Sequence, residues 1–124
     1  MSSSIPKRAP NPLDRRRRRY VRYRADFRVS VNHLLGDHYQ EVEGHCRDLS
    51  EAGIGILLAT ELNLGEVASL GMTFPGTESP WEPRAVVRHR RGYQYGFEFL
   101  ALSSEQREAL TKYLQVLERE EGLD

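Results

Sequence analysis

Short segments in which apolar and polar side chains alternate run from residue 26 to residue 100, and they restrict the fold more than any other feature. Phe27, Val29 and Val31, each followed by a polar residue, have the period of a strand that buries one face. Arg91-Gly92 separates two such segments and supplies the glycine that a tight hairpin turn favours. Six strands are therefore predicted, at residues 26–32, 38–47, 53–59, 66–74, 85–90 and 94–99.

The period changes to that of a helix after residue 103. Ser103 and Gln106 have the spacing of a capping box, which satisfies backbone N–H groups in the first helical turn. One apolar stripe follows, at Leu110, Tyr113, Leu114 and Leu117. This stripe either packs on the strands or mediates a dimer. The sequence thus predicts an all-β fold with one C-terminal helix, in which six antiparallel strands at residues 26–100 form a small barrel or a sandwich and a helix follows at 103–121.

Charge divides the chain into a basic N-terminal part and an acidic remainder. Residues 1–28 contain ten Lys or Arg and two Asp, a net charge of +8. Residues 29–124 contain eight Lys or Arg and sixteen Asp or Glu, a net charge of −8. Because clustered arginines repel one another, the arm at residues 15–25 indicates a polyanionic partner. The alternative is that the arm lies against its own acidic body.

Composition excludes several classes of protein. With 124 residues, 39% of them hydrophobic and 29% charged, the chain has the size and polarity of one domain. No apolar run approaches the roughly 20 residues of a membrane span. Residues 1–14 lack the apolar segment of a signal peptide and are predicted to be a disordered lead-in. The single cysteine, Cys46, is predicted to be buried and favours a reducing cytoplasm.

Catalytic patterns are missing from the sequence. The histidines lie in separate segments without the spacing of metal ligands, and His89 shares a predicted strand face with Ala85 and Val87. No phosphate-binding glycine loop of Walker or Rossmann form and no nucleophile elbow is present. We therefore expect no enzymatic activity, no metal site and no cofactor.

Two short polar patterns remain. The first is R-x-x-x-R, which occurs in three registers, as Arg15/Arg19, Arg18/Arg22 and Arg24/Arg28. The second is D-x-S-x-x-G, which joins two predicted strands through Asp48, Ser50 and Gly53. Taken alone, the second pattern predicts a polar turn in which Asp48 and Ser50 cap backbone amides and Gly53 takes a positive φ.

Together and in this order, with the hairpin segment Y-Q-Y-G-F-E-F before a helix, these patterns resemble the PilZ domain, a bacterial family that binds the second messenger cyclic di-GMP (c-di-GMP). The resemblance covers residues 15–117 of a predicted domain at 15–121. It implies that the strands form a small six-stranded antiparallel β-barrel. It also implies a cytoplasmic receptor in motility or biofilm regulation. In the family the arginine pair lies just before the first strand, and this position corresponds to Arg18/Arg22 in this sequence. The implied ligand-binding residues are Arg18, Arg19, Arg22, Asp48, Ser50 and Gly53.

The chemistry of c-di-GMP agrees with these residue types. An arginine fork binds the O6/N7 edge of guanine, and guanidinium groups also bind phosphates and stack on purines. Asp48 accepts hydrogen bonds from the N1–H and N2–H₂ edge of guanine. Ser50 donates to a phosphate or fixes the loop, and Gly53 allows a close approach to the backbone.

The resemblance also implies a mechanism. The basic arm closes over the ligand, bound singly or as an intercalated pair, against the loop at residues 48–53, and the altered surface signals to an unidentified partner protein. Neither membrane insertion nor specific nucleic acid binding is expected. Two alternatives remain, sequence-nonspecific RNA or DNA binding through the arm and a polybasic tether to a membrane surface.

Overall fold

A computed structural model describes residues 20–122. Six strands close into a barrel in the order β1-β2-β3-β6-β5-β4, and every neighbouring pair is antiparallel. The predicted six-stranded antiparallel barrel with one C-terminal helix is therefore confirmed. The elements are β1 (Tyr23–Leu35), β2 (His38–Leu49), β3 (Gly53–Leu57), β4 (Val67–Gly71), β5 (Arg84–Arg91), β6 (Gln94–Leu100) and α1 (Ser104–Gly122).

Two glycine-containing turns form the tight hairpins of the barrel, and the one at Arg91-Gly92 is as predicted. Gly36 connects β1 to β2 with φ +67°, and Gly92 connects β5 to β6 with φ +62°. Both values lie in the left-handed region, which glycine enters without a steric penalty. The register Leu35↔His38 leaves a turn of two residues, so the pairing of β1 with β2 is fixed from this end.

Alternate residues of the strands fill the barrel, as the period of two predicts. Val29 and Val31 are fully buried, and aromatic side chains close the end nearest the helix. The ring of Tyr113 stacks on Phe74 with centroids 4.7 Å apart and meets Phe27 edge-on at 6.0 Å. All four residues of the helical stripe are buried, so the stripe packs on the barrel.

The first turn of α1 is fixed by the predicted capping box. The Gln106 backbone N–H donates to Ser103 Oγ at 3.0 Å, and the Ser103 N–H donates to Gln106 Oε1 at 2.9 Å. Trp81 then donates its indole N–H to the Gln106 carbonyl at 2.9 Å, which ties the helix to the segment before β5. No helix within residues 20–122 is both long and apolar enough to cross a bilayer.

Candidate functional site

A concave surface of about 940 Å³ lies on the outer side of the barrel where β1, β2, β3, β5 and β6 meet. A second concavity of about 490 Å³ adjoins it around the loop between β2 and β3. Arg22, His89 and Gly96 line both, so the two form one continuous surface. The charged and polar side chains around the larger concavity are Arg22, Arg24, Asp26, His45, Arg47, Asp48, His89, Arg91 and Gln94.

Arg22 and Asp48 face each other at the junction of the two concavities. Arg22 precedes β1, while Asp48 lies near the end of β2, opposite Arg24 in the strand register. Their Nη1 and Oδ1 atoms are 3.8 Å apart, and each side chain is about a third exposed. A pair of this length and exposure contributes little to stability. Both groups therefore keep donors and acceptors available for a ligand.

Two paired glycines form the floor between the charged groups. Gly55 on β3 lies opposite Gly96 on β6. A Cβ on Gly55 would come within 2.7 Å of the Asp48 carboxylate, and a Cβ on Gly96 would overlap the His89 ring. The carboxylate and the imidazole thus lie directly against the backbone of the two paired glycines, so a hydrogen-bond acceptor and an aromatic ring are neighbours on this surface.

Bulges in β2 and β5 turn extra polar side chains onto this surface. The register passes from Cys46↔Ile56 to Asp48↔Gly55, so Arg47 is an inserted residue and lies on the outside beside Asp48. A similar shift in β5 inserts a residue before His89. Because a shift of one residue reverses the side-chain alternation, His89 is exposed instead of sharing the buried face of its strand. The prediction that His89 shares one strand face with Ala85 and Val87 is therefore wrong.

Ser50 organises the loop between β2 and β3. Its hydroxyl accepts hydrogen bonds from the N–H groups of Ala52 and Gly53, both at 3.2 Å, and the side chain is buried. The Ser50 N–H donates to the Gly53 carbonyl at 2.9 Å. This confirms a serine-capped turn. Asp48 takes no part in the capping, since its carboxylate lies over β3.

Gly53 is required by strand packing. Its φ does not fall in the positive region, so the predicted left-handed conformation is wrong. A Cβ there would lie 2.2 Å from the backbone oxygen of Phe97 on β6. The glycine therefore lets β3 approach β6 at the start of their pairing, directly beside the loop.

Two further contacts of charged side chains lie at the edge of the concave surface. His45 and Asp26 are in direct contact through Nε2 and Oδ1. The Arg24 backbone N–H donates to Glu121 Oε2 at 2.8 Å, so the end of α1 contacts the start of β1 immediately after Arg22. Among residues 20–122 no three His, Cys, Asp or Glu side chains come close enough together to hold a metal ion.

The structure brings together two of the residues singled out from the sequence and places two others next to them. Arg22 lies where the two concavities join, Asp48 lies beside it in the larger one, and Ser50 and Gly53 line the adjoining concavity. Arg18 and Arg19 lie outside the described residues, as do the lead-in at 1–14 and Arg15–Arg17. Sequence reasoning missed other residues of the floor and wall, among them Arg47, Gly55, His89, Arg91 and Gly96.

Residues 16–115 match the family model of the PilZ domain. The barrel is similar to the structure of Escherichia coli YcgR in complex with c-di-GMP (27% identity, TM-score 0.64, covering 84% of this chain and 47% of that one). It is also similar to the PilZ domain of E. coli YcgR with c-di-GMP (24% identity, TM-score 0.65, covering 84% of this chain and 93% of that one). A third similar structure is that of the Bacillus subtilis inhibitor of motility MotI (24% identity, TM-score 0.64, covering 77% of this chain and 48% of that one). The chain thus spans about half the length of MotI. Comparison of the sequence with curated proteins gives no match.

Proposed function

The chain belongs to the PilZ domain family, and from this premise we propose that it is a receptor for c-di-GMP. One observation carries the proposal. Arg22 of the R-x-x-x-R motif and Asp48 of the D-x-S-x-x-G motif meet over a glycine floor in a concave surface of about 940 Å³, a volume typical of ligand sites. The complexes of YcgR with c-di-GMP support the same ligand.

The chemistry of the two side chains fits the two kinds of group in the ligand. The Arg22 guanidinium donates to the O6/N7 edge of guanine or to a phosphate oxygen. The Asp48 carboxylate is acceptor-only when ionised, so it suits the N1–H and N2–H₂ donors of guanine. Glycine at positions 55 and 96 leaves room for the Asp48 carboxylate and the His89 ring, which lie over the paired strands and can both face the ligand.

The remaining motif residues have different parts in this proposal. Ser50 and Gly53 act by fixing the loop and its approach to β6, since the serine hydroxyl already has backbone partners. Arg18 and Arg19 precede Tyr20 and bind the ligand from the arm. Arm and ligand together then present a surface that a partner protein reads. We propose a binding protein and not an enzyme, because every role assigned here to a side chain is one of ligand recognition.

The geometry favours the register Arg18/Arg22 over Arg24/Arg28. Arg28 points away from the concave surface and pairs with Glu43 at 3.1 Å. Arg22, by contrast, lines both concavities. Replacing one member of each pair therefore separates the two registers.

Isothermal titration of the full chain with c-di-GMP tests the proposal. We expect binding that weakens at least about tenfold in Arg22→Ala and Asp48→Ala, because each removes a hydrogen bond involving a charged group. Arg28→Ala, a matched loss of one arginine from β1, should bind as the wild type does. A loss in Arg28→Ala without a loss in Arg22→Ala means that the register is wrong.

GTP and a short single-stranded RNA serve as competing ligands. The receptor proposal expects neither to match c-di-GMP. If RNA binds with strong salt dependence and c-di-GMP does not bind, the receptor proposal is wrong and nonspecific nucleic acid binding takes its place.

A further inference from the structure

β2 has an open edge at the end of the barrel away from Asp48. The strand pairs with β1 along its length, from His38 to Leu49, but with β3 only from His45 to Leu49. Within residues 20–122 no other strand pairs with residues 38–44. An unpaired strand edge exposes backbone donors and acceptors that can bind an added strand.

The hairpin register identifies which backbone groups face this edge. The two-residue turn makes Leu35↔His38 a hydrogen-bonded pair, and such pairs alternate with non-hydrogen-bonded ones in antiparallel strands. Tyr39, Glu41 and Glu43 therefore direct their N–H and C=O groups away from β1. His45 continues the same series and is paired with Leu57 of β3, as this alternation requires.

The side chains along the edge combine apolar surface with negative charge. Tyr39 is 68% exposed, and its cross-strand neighbour Leu34 is 50% exposed. Glu43 is paired with Arg28, whereas Glu41 has no ion pair among the described residues. A second copy added antiparallel about Glu41 would bring the two Glu41 side chains opposite each other, which is unfavourable. The edge therefore suits a strand of opposite charge.

We propose that the open edge of β2 at residues 39–43 binds an extended basic segment of a partner protein as an added strand. Lysine or arginine side chains of that segment lie beside Glu41 and Glu43, and an apolar side chain packs on Tyr39 and Leu34. This surface is separate from the concave one and does not depend on c-di-GMP.

Hydrogen exchange on the full chain tests the proposal without any substitution. The probe is a peptide of alternating lysine and valine. Its controls are a threonine–valine peptide, which keeps the strand tendency without charge, and a lysine peptide interrupted by proline, which keeps the charge but cannot pair. We expect the lysine–valine peptide alone to slow exchange at the N–H groups of Tyr39, Glu41 and Glu43. Gln40 and Val42, already bonded to β1, should change little. Protection elsewhere, or equal protection by the proline-interrupted peptide, overturns the proposal.

Substitutions at Glu41 then separate charge from backbone pairing in fluorescence anisotropy with the same peptide. Glu41→Gln should weaken binding several-fold, and Glu41→Pro should weaken it by about tenfold or more because it also removes the edge N–H. Glu78→Gln, an exposed loop carboxylate far from the edge in sequence, is the matched control. An equal effect of Glu41→Gln and Glu78→Gln would indicate general attraction to an acidic protein and would contradict the proposal. Self-association of the protein that Glu41→Pro abolishes would contradict it too, since the occupant would then be a second copy.

Discussion

The carboxylate of Asp48 lies over the α-carbon of Gly55, the residue opposite it on β3, so that a Cβ at position 55 would be 2.7 Å from Oδ2. A side chain cannot be added there without displacing the carboxylate. We expect Gly55→Ala to keep the fold, since the group that must move is the end of a side chain. Its affinity for c-di-GMP should fall about as far as that of Asp48→Ala, by about tenfold or more.

Gly71→Ala is the control for this substitution. A Cβ at Gly71 would meet Ser30 at 3.7 Å, an ordinary contact, and position 71 lies outside both concavities. Titration calorimetry should give wild-type affinity for Gly71→Ala. Wild-type affinity in Gly55→Ala would show that the position of the Asp48 carboxylate does not matter for binding.

Gly53→Ala, unlike Gly55→Ala, should lower the free energy of unfolding. The Cβ would overlap a backbone oxygen of β6, which cannot move without separating the two strands. Overpacking of this kind costs about 1–3 kcal/mol. Urea unfolding monitored by tryptophan fluorescence should show the loss, with no ligand present. An unchanged free energy of unfolding would mean that β3 and β6 adjust easily and that the glycine serves the ligand alone.

The alternation of the sequence was enough to predict the strands, and the resemblance to the PilZ domain implied the barrel, but neither predicted the composition of its outer surface. Phe27, Val29 and Val31 alternate without interruption, so their burial follows from the period alone. His89 follows an inserted residue in β5, and nothing in the local sequence marks that insertion. The same holds for Arg47 in β2. The D-x-S-x-x-G motif marks the loop. Glycine is needed at position 53, however, because of β6, a strand distant in sequence, so the local sequence alone led to a wrong prediction of its φ.

Packing of α1 on the barrel provides a prediction that is independent of the ligand. Leu110 is 2% exposed within the stripe that covers the aromatic end of the core. Leu110→Ala should reduce the free energy of unfolding by about 2–5 kcal/mol, since a buried leucine is removed and a cavity left. Glu108→Ala, exposed in the same helix, should change it by less than about 0.5 kcal/mol. If Leu110→Ala dissociates an oligomer without destabilising the monomer, the stripe is an interface and not a core.

Cys46 should make stability depend on pH in the alkaline range. The thiol is fully buried, and burial raises its pKa to about 12, with the negative charge of Asp48 acting in the same direction. The folded state therefore favours the neutral thiol. Its stabilising effect is complete below the ordinary thiol pKa of about 9 and is lost as the pH rises towards 12.

Comparing wild type with Cys46→Ala isolates this effect, because burial also raises the pKa of Tyr113 and that contribution is present in both proteins. The difference in free energy of unfolding between them should be constant from pH 7 to about 9 and should then shift against the wild type. Thiol labelling at pH 8 gives a second readout. The native protein should react far more slowly than protein in urea, because only the thiolate attacks the reagent and the folded chain disfavours it. Equal labelling rates in the two states would contradict a buried, neutral Cys46.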